Sequence, residues 1–279
     1  MTIRTIKKTY TGIPTVEGAG VNLTRFFSLP DVNDVDPFLL LDFFYSNDPA
    51  DYRAGFPMHP HRGIETITYL IQGRISHEDS LGNKGVIEPL GCQWMTAGRS
   101  ILHQEMPDMA IPIMGTQLWL NLPRARKMTA PAYRDITEKD VPIHESSDAL
   151  VRIIAGSFHD HTGPVTGTFV APRYFDVTIH PLGTFSLNVP EDDSAFIFML
   201  DGEIKFEDNQ SLSSPQTRGA LLTEGDQISV FSHKGARLLF ISAKPLREPI
   251  AWGGPIVMNT QEELRNAFRE LREGTFINS

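Results

Sequence analysis

An all-β fold closed by one helix is what this sequence predicts, and three observations carry the prediction. Short segments rich in Ile, Val, Thr, Phe and Tyr recur along the chain; Gly, Pro, Asp and Asn separate them; helical periodicity appears only near the C-terminus. In order, "IETITYLIQGRISHED" (64–79), "TQLWLNL" (116–122), "YFDVTIH" (174–180), "SAFIFMLDGEIKF" (194–206) and "ARLLFISA" (236–243) read as strands of sandwiches or barrels. The exception is "TQEELRNAFRELREG" (260–274). Thr260 and Glu263 stand at capping-box spacing, Leu264, Ala267, Phe268 and Leu271 share one stripe, and Gly274 stops the helix.

Composition narrows the function. The chain has 279 residues, 41% of them hydrophobic, with a formal net charge of −9. That length suits one large or two medium domains, and the acidic balance argues against a nucleic-acid backbone as partner, which needs a concentrated field of Lys and Arg. The tight basic cluster Arg124, Arg126 and Lys127 reads as a solvated loop. With Cys92 alone no internal disulfide can form, and no stretch is apolar enough for a membrane span or a signal peptide, so a cytoplasmic protein is expected. Cys92 itself reads as a small apolar residue in a hairpin.

The chemistry-bearing stretch is "FPMHPHRGIETITY" (56–69). In a strand, residues i and i+2 share a face about 6–7 Å apart, so His59 and His61 project together. His103 and Glu105 in "ILHQEM" have the same parity. Three imidazoles and a carboxylate from two strands form an N3O set that suits a divalent transition metal and leaves positions open. A lone His-x-His is more often two surface imidazoles, and the chain offers a comparison. His159 and His161 in "FHDHTG" lie among Gly and Pro with no His-x-Glu at matching distance, and read as a surface loop.

A weak internal repeat divides the chain within the polar stretch 135–148. Matching Gly73 with Gly202 lays Phe56 on Phe185 and Tyr69 on Phe198, and matching Gly91 with Gly225 extends the alignment. On that register Asn188 and Pro190 replace His59 and His61, and Arg237 and Leu239 replace His103 and Glu105. One metal-bearing and one metal-free β-unit are therefore expected.

The run "HPHRGIETITYLIQGRISHEDSLGNKGVIEPLGCQWMTAGRSILHQEMP", followed by "GTQLWLNLP", resembles the pirin family of the cupin superfamily. The resemblance is strong over roughly Pro37 to Pro123 and implies a bicupin of two β-sandwich barrels: residues 1–140 as a metal-binding cupin, and residues 141–279 as a metal-free cupin ending in the helix at about 260–274. It places the family's metal ligands on His59, His61, His103 and Glu105, with Glu105 also catalytic. The metal is most often Fe(II); Mn, Co, Ni, Cu and Zn also suit the donor set. Glu65, where the general cupin pattern has a glutamate, is read as supporting the ligands or structural. Met58, Gln104 and "PLGC" depart from the family's usual residues at the rim and in one hairpin.

Several pirins resemble quercetinases, flavonol dioxygenases that open the central ring of quercetin with O2 and release CO. That implies a flat aromatic substrate and O2 as small-molecule partners, with Phe56, Met58, Trp94 and Met106 as candidate pocket walls. The alternative implied by the family is a non-enzymatic, iron-dependent redox regulator that binds a transcription factor or a metabolic enzyme as protein partner.

Overall fold

A computed structural model of the chain describes residues 2–109 and 112–277. It is built from β-strands, with a 13-residue helix at Gln261–Glu273. Among the described residues no helix is long and apolar enough to cross a membrane. The strands gather into two compact units. The N-terminal unit comprises Ile13–Asn33, Phe38–Glu138 and Leu246–Ser279; the C-terminal unit comprises Met1–Gly12, Asp34–Pro37 and Lys139–Pro245.

This partition differs from the expected division at 140/141, because the two ends of the chain are exchanged. Strand Ile6–Tyr10 pairs with Gly219–Leu222 in the C-terminal unit. The C-terminal helix buries Leu264 and Ala267 in a cluster with Ala251, Ile256 and Met258, and Ile256 bridges to Arg62 of the N-terminal unit. Strand edges and apolar stripes are satisfied by partners far away in sequence, which a linear division cannot register.

In the N-terminal unit a seven-stranded sheet runs in the order Ala132–Ile136, Cys92–Thr96, Ile64–Gln72, Ile113–Asn121, Phe38–Ser46, Val21–Phe27, Ile13–Glu17. A four-stranded sheet runs Phe56–His61, Ile101–Pro107, Ile75–Asp79, Lys84–Ile87. Strand Ile64–Gln72 is buried from Ile64 to Leu70, as its near-continuous apolar and threonine composition requires. Ile101–Pro107 instead alternates, with Ile101, His103 and Glu105 buried.

The C-terminal unit repeats this pairing pattern. Gly183–Asn188 precedes Ser194–Phe206 as Phe56–His61 precedes Ile64–Gln72, and Gly73 and Gly202, at φ 96° and 75°, each occupy the left-handed region that glycine tolerates. The second half of the sequence repeat is out of register, however. The strand that pairs with Gly183–Asn188 is Gln227–Ser232, whereas Arg237 and Leu239 lie on Ala236–Ala243, which pairs with Ser194–Phe206 as Ile113–Asn121 pairs with Ile64–Gln72. His103 lies opposite His59, and its counterpart is Gln227, opposite Asn188. Arg237 instead forms a two-pronged ion pair with the buried Asp176. Differing loop lengths slid the Gly91–Gly225 match by one strand.

Candidate metal centre

Two neighbouring strands bring three imidazoles together. Phe56–His61 and Ile101–Pro107 are antiparallel, with His103 directly opposite His59 and Ile101 opposite His61. The register shifts between His103 and Glu105, so the carboxylate residue faces Phe56. One ring nitrogen from each of His59, His61 and His103 lies within 4.8 Å of the others. Ring centroids are 4.8 Å apart for His59–His61, 4.4 Å for His59–His103 and 5.1 Å for His61–His103.

The hydrogen bonds around these rings fix which nitrogen faces inward. His59 Nδ1 is 3.0 Å from Pro57 O, and His61 Nδ1 is 3.1 Å from Pro255 O. A carbonyl oxygen only accepts, so each Nδ1 carries the proton and each Nε2 is left with a lone pair. Those two Nε2 atoms stand 3.0 Å apart. His103 is buried, and neither of its ring nitrogens has a hydrogen-bond partner. A buried polar atom without a partner is costly, and here it adjoins two aimed lone pairs: the donor set fits a cation of the imidazole-loving first-row series. Burial, followed by the proximity of His59, pushes the His61 pKa down to about 3, and burial holds His103 well below its usual range. Both rings are therefore neutral and able to act as ligands at neutral pH.

Glu105 stands apart from the imidazole trio. Its Oε1 accepts from Thr68 Oγ1 at 2.9 Å and its Oε2 from Gln117 Nε2 at 3.0 Å. Behind it lies a pocket of only about 20 Å³, lined largely by apolar side chains such as Val21, Leu23 and Phe44, too small for more than a water. Glu65 is buried, with Oε1 accepting from Thr96 Oγ1 at 2.6 Å, and burial raises its pKa.

His59 and His61 open onto a cleft of about 580 Å³. His59, His61, Phe56, Leu40, Trp119 and Trp252 line it, with Arg25, Asp42, Glu17 and Gln117 as polar groups. Trp119 meets His61 edge-on at 5.0 Å, and Trp252 lies 5.8 Å from Trp119. Arg25 grips Asp42 through Nε–Oδ1 at 2.8 Å and Nη2–Oδ2 at 2.7 Å.

Of the four expected pocket walls, the cleft includes Phe56 only. Met58 and Met106 have the opposite strand parity to the histidines and to Glu105 and are exposed, at 45% and 36%. Trp94 is core, on a strand buried along its whole length. Cys92 is buried on that same strand, and burial pushes its thiol pKa up, which makes it unreactive. The sequence reading missed Arg25, Asp42, Gln117, Trp119, Trp252 and Pro255. An acid inside the apolar run "FLLLDFFY" is a signal for Asp42, and shared parity in "TQLWLNL" for Gln117 and Trp119; nothing nearby in sequence points to Trp252 or Pro255.

Comparison with known proteins agrees with this architecture. The Pirin family profile matches residues 20–120, and that of the Pirin C-terminal cupin domain matches residues 174–277. A pirin-like protein of Caulobacter vibrioides is 40% identical over 280 residues, covering 99% of this chain and 100% of that one. Pirin of Homo sapiens is 37% identical over 261 residues, covering 92% of this chain and 88% of that one. The crystal structure of a quercetin 2,3-dioxygenase from Acinetobacter baumannii superposes with a TM-score of 0.89 at 32% identity, covering 99% of both chains. Two cupin domains and a C-terminal helix thus make up a chain that belongs to the pirin family.

Proposed function

We propose that this chain is a metal-dependent dioxygenase that opens the central ring of a flavonol such as quercetin with O2 and releases CO, with Fe(II) held by His59, His61, His103 and Glu105. The observation that carries the reading is the trio of converging imidazoles, two of which have their outer nitrogens tied to backbone carbonyls and line a cleft large enough for a flat polyphenol. The similarity to a quercetin 2,3-dioxygenase along 99% of the chain supports the substrate class.

A bound cation supplies Lewis acidity toward a phenolic hydroxyl and open positions for substrate and O2. The remaining work falls to side chains. Trp119, Trp252 and Leu40 flank a planar ring system, and Arg25, pinned by Asp42 and Glu17, offers positive charge to a phenolic oxygen. Glu105, held by Thr68 and by Gln117 of the cleft wall, is placed to accept the proton of the flavonol hydroxyl once its carboxylate turns toward the cleft.

The test is anaerobic loading of metal-free protein with Fe(II), Mn(II), Co(II), Ni(II) or Cu(II), then quercetin and air, reading flavonol absorbance and CO. Turnover with at least one metal is expected, together with a loss of about 100-fold or more in Glu105→Gln, which removes the proton acceptor. No flavonol loss with any of the five metals would overturn the enzyme reading, and metal binding without turnover would favour a regulatory role.

A further inference from the structure

His159 and His161, read from sequence as a surface loop, lie at the surface, but on a paired hairpin. Ser157–Phe158 and His161–Thr162 are the paired strands of a small hairpin with His159 and Asp160 at its turn. Phe158 anchors the hairpin in the core of the C-terminal unit, its ring 5.8 Å from both Phe175 and Phe185. A third imidazole arrives from Ile143–Glu145, the outermost strand of the large sheet. The His144 ring stacks on His159 at 4.5 Å and lies 5.7 Å from His161. One donor atom from each of His144, Asp160 and His161 lies within 4.8 Å of the others.

We propose that His144, Asp160 and His161 form a second divalent-metal site, of the zinc class, in the C-terminal unit. Two imidazoles and one carboxylate are a three-protein-ligand set that leaves a fourth, water-filled position. Zinc bonds of about 2.0–2.2 Å place tetrahedral donors roughly 3.4 Å apart, so the donors need to close by little more than 1 Å. Asp160 has room for that, its side chain being 85% exposed. His161 Nδ1 is buried against Asp160 Oδ1 at 2.9 Å, so two of the three donors already face one another. His159, the residue before Asp160, holds a left-handed φ of 50° at the turn.

This site is not the vanished counterpart of the N-terminal one. The counterparts of the opposed pair His59 and His103 are Asn188 and Gln227, which line a separate cleft of about 360 Å³ together with Phe158 and His159. The three proposed ligands come from positions the repeat does not share. A metal there would cross-link the hairpin to the edge strand of the sheet.

Zinc titration of metal-free full-length protein, with bound metal counted after gel filtration, tests the proposal. We expect two equivalents in the wild type, one in H144A/H161A, one in H59A/H103A, and none in the quadruple variant. Far-UV circular dichroism confirms that each variant is folded. If H59A/H103A does not fold, the drop from two equivalents to one in H144A/H161A carries the test, with zinc anomalous scattering locating the ion. Unchanged stoichiometry in H144A/H161A, or scattering away from His144 and His161, overturns the site.

Discussion

At the scale of single residues, His61 is neutral because it is buried, and that has a consequence for stability. Its pKa falls to about 3 in the folded chain, against about 6.5 for an unfolded histidine. Between those values the unfolded state binds a proton that the native state refuses. The contribution of this histidine is therefore constant above about pH 7 and lost as pH falls through the window, by up to about 1.4 kcal/mol per pH unit. Urea midpoints of metal-free protein at pH 7, 6 and 5 measure this, and His61→Gln is expected to flatten the decline; identical slopes in both proteins would refute the account. The convergence of the three histidines was legible in the sequence because a strand's two-residue parity is unambiguous over three positions, whereas the register shift that sets Glu105 apart from them was not. The same rule read strictly places Met58 and Met106 on the opposite face, where the structure has them. Nearness in sequence to a ligand had suggested them as walls, and it is a poor guide where successive side chains point apart.

At the scale of elements, the helix was legible to within a residue or two because its signals are local. Thr260 and Glu263 cap it reciprocally and Gly274 ends it at φ 72°. The segment before it was not legible, because long-range contacts position it. Lys127, read from sequence as part of a solvated loop, is buried, and its Nζ donates to Gly63 O at 2.9 Å, Asn121 Oδ1 at 2.7 Å and Val257 O at 2.9 Å. Burial pulls its pKa down to about 7, while the charges of Glu248 and Glu263 oppose that pull. Gly63 packs so closely that a Cβ would sit 1.9 Å from Val257 O. Arg62 adds an ion pair with Glu270 at 2.7 Å and lies over the Phe276 ring at 4.3 Å. Lys127→Met is expected to destabilise the fold by about 2 kcal/mol through under-satisfied carbonyls. It should also weaken metal binding, since Pro255, two residues from Val257, orients His61. Chemical denaturation and metal titration measure the two effects, and full retention of both would discount the clamp.

At the scale of the whole molecule, the all-β class and the twofold repeat followed from strand composition and turn residues, whereas the exchange of chain ends did not. An edge strand such as Ile6–Tyr10 carries no record of which edge it will complete. Deleting residues 246–279 is expected to leave the C-terminal unit folded but to strip the N-terminal cleft of Trp252, Gly254 and Pro255. Metal affinity should fall by at least about tenfold, the usual cost of losing a group that orients a ligand. Metal titration of the truncated chain decides this, and unaltered affinity would show that the segment is dispensable.

That exchange also orders events in time. On the ribosome the three histidines emerge early, but the Pro255 carbonyl that aims His61 follows only after residues 139–245 have been made. A nascent chain thus holds His59 through its neighbour Pro57 but leaves His61 unaimed for more than a hundred residues of synthesis, so the imidazole trio reaches its final geometry only after Pro255 has been made.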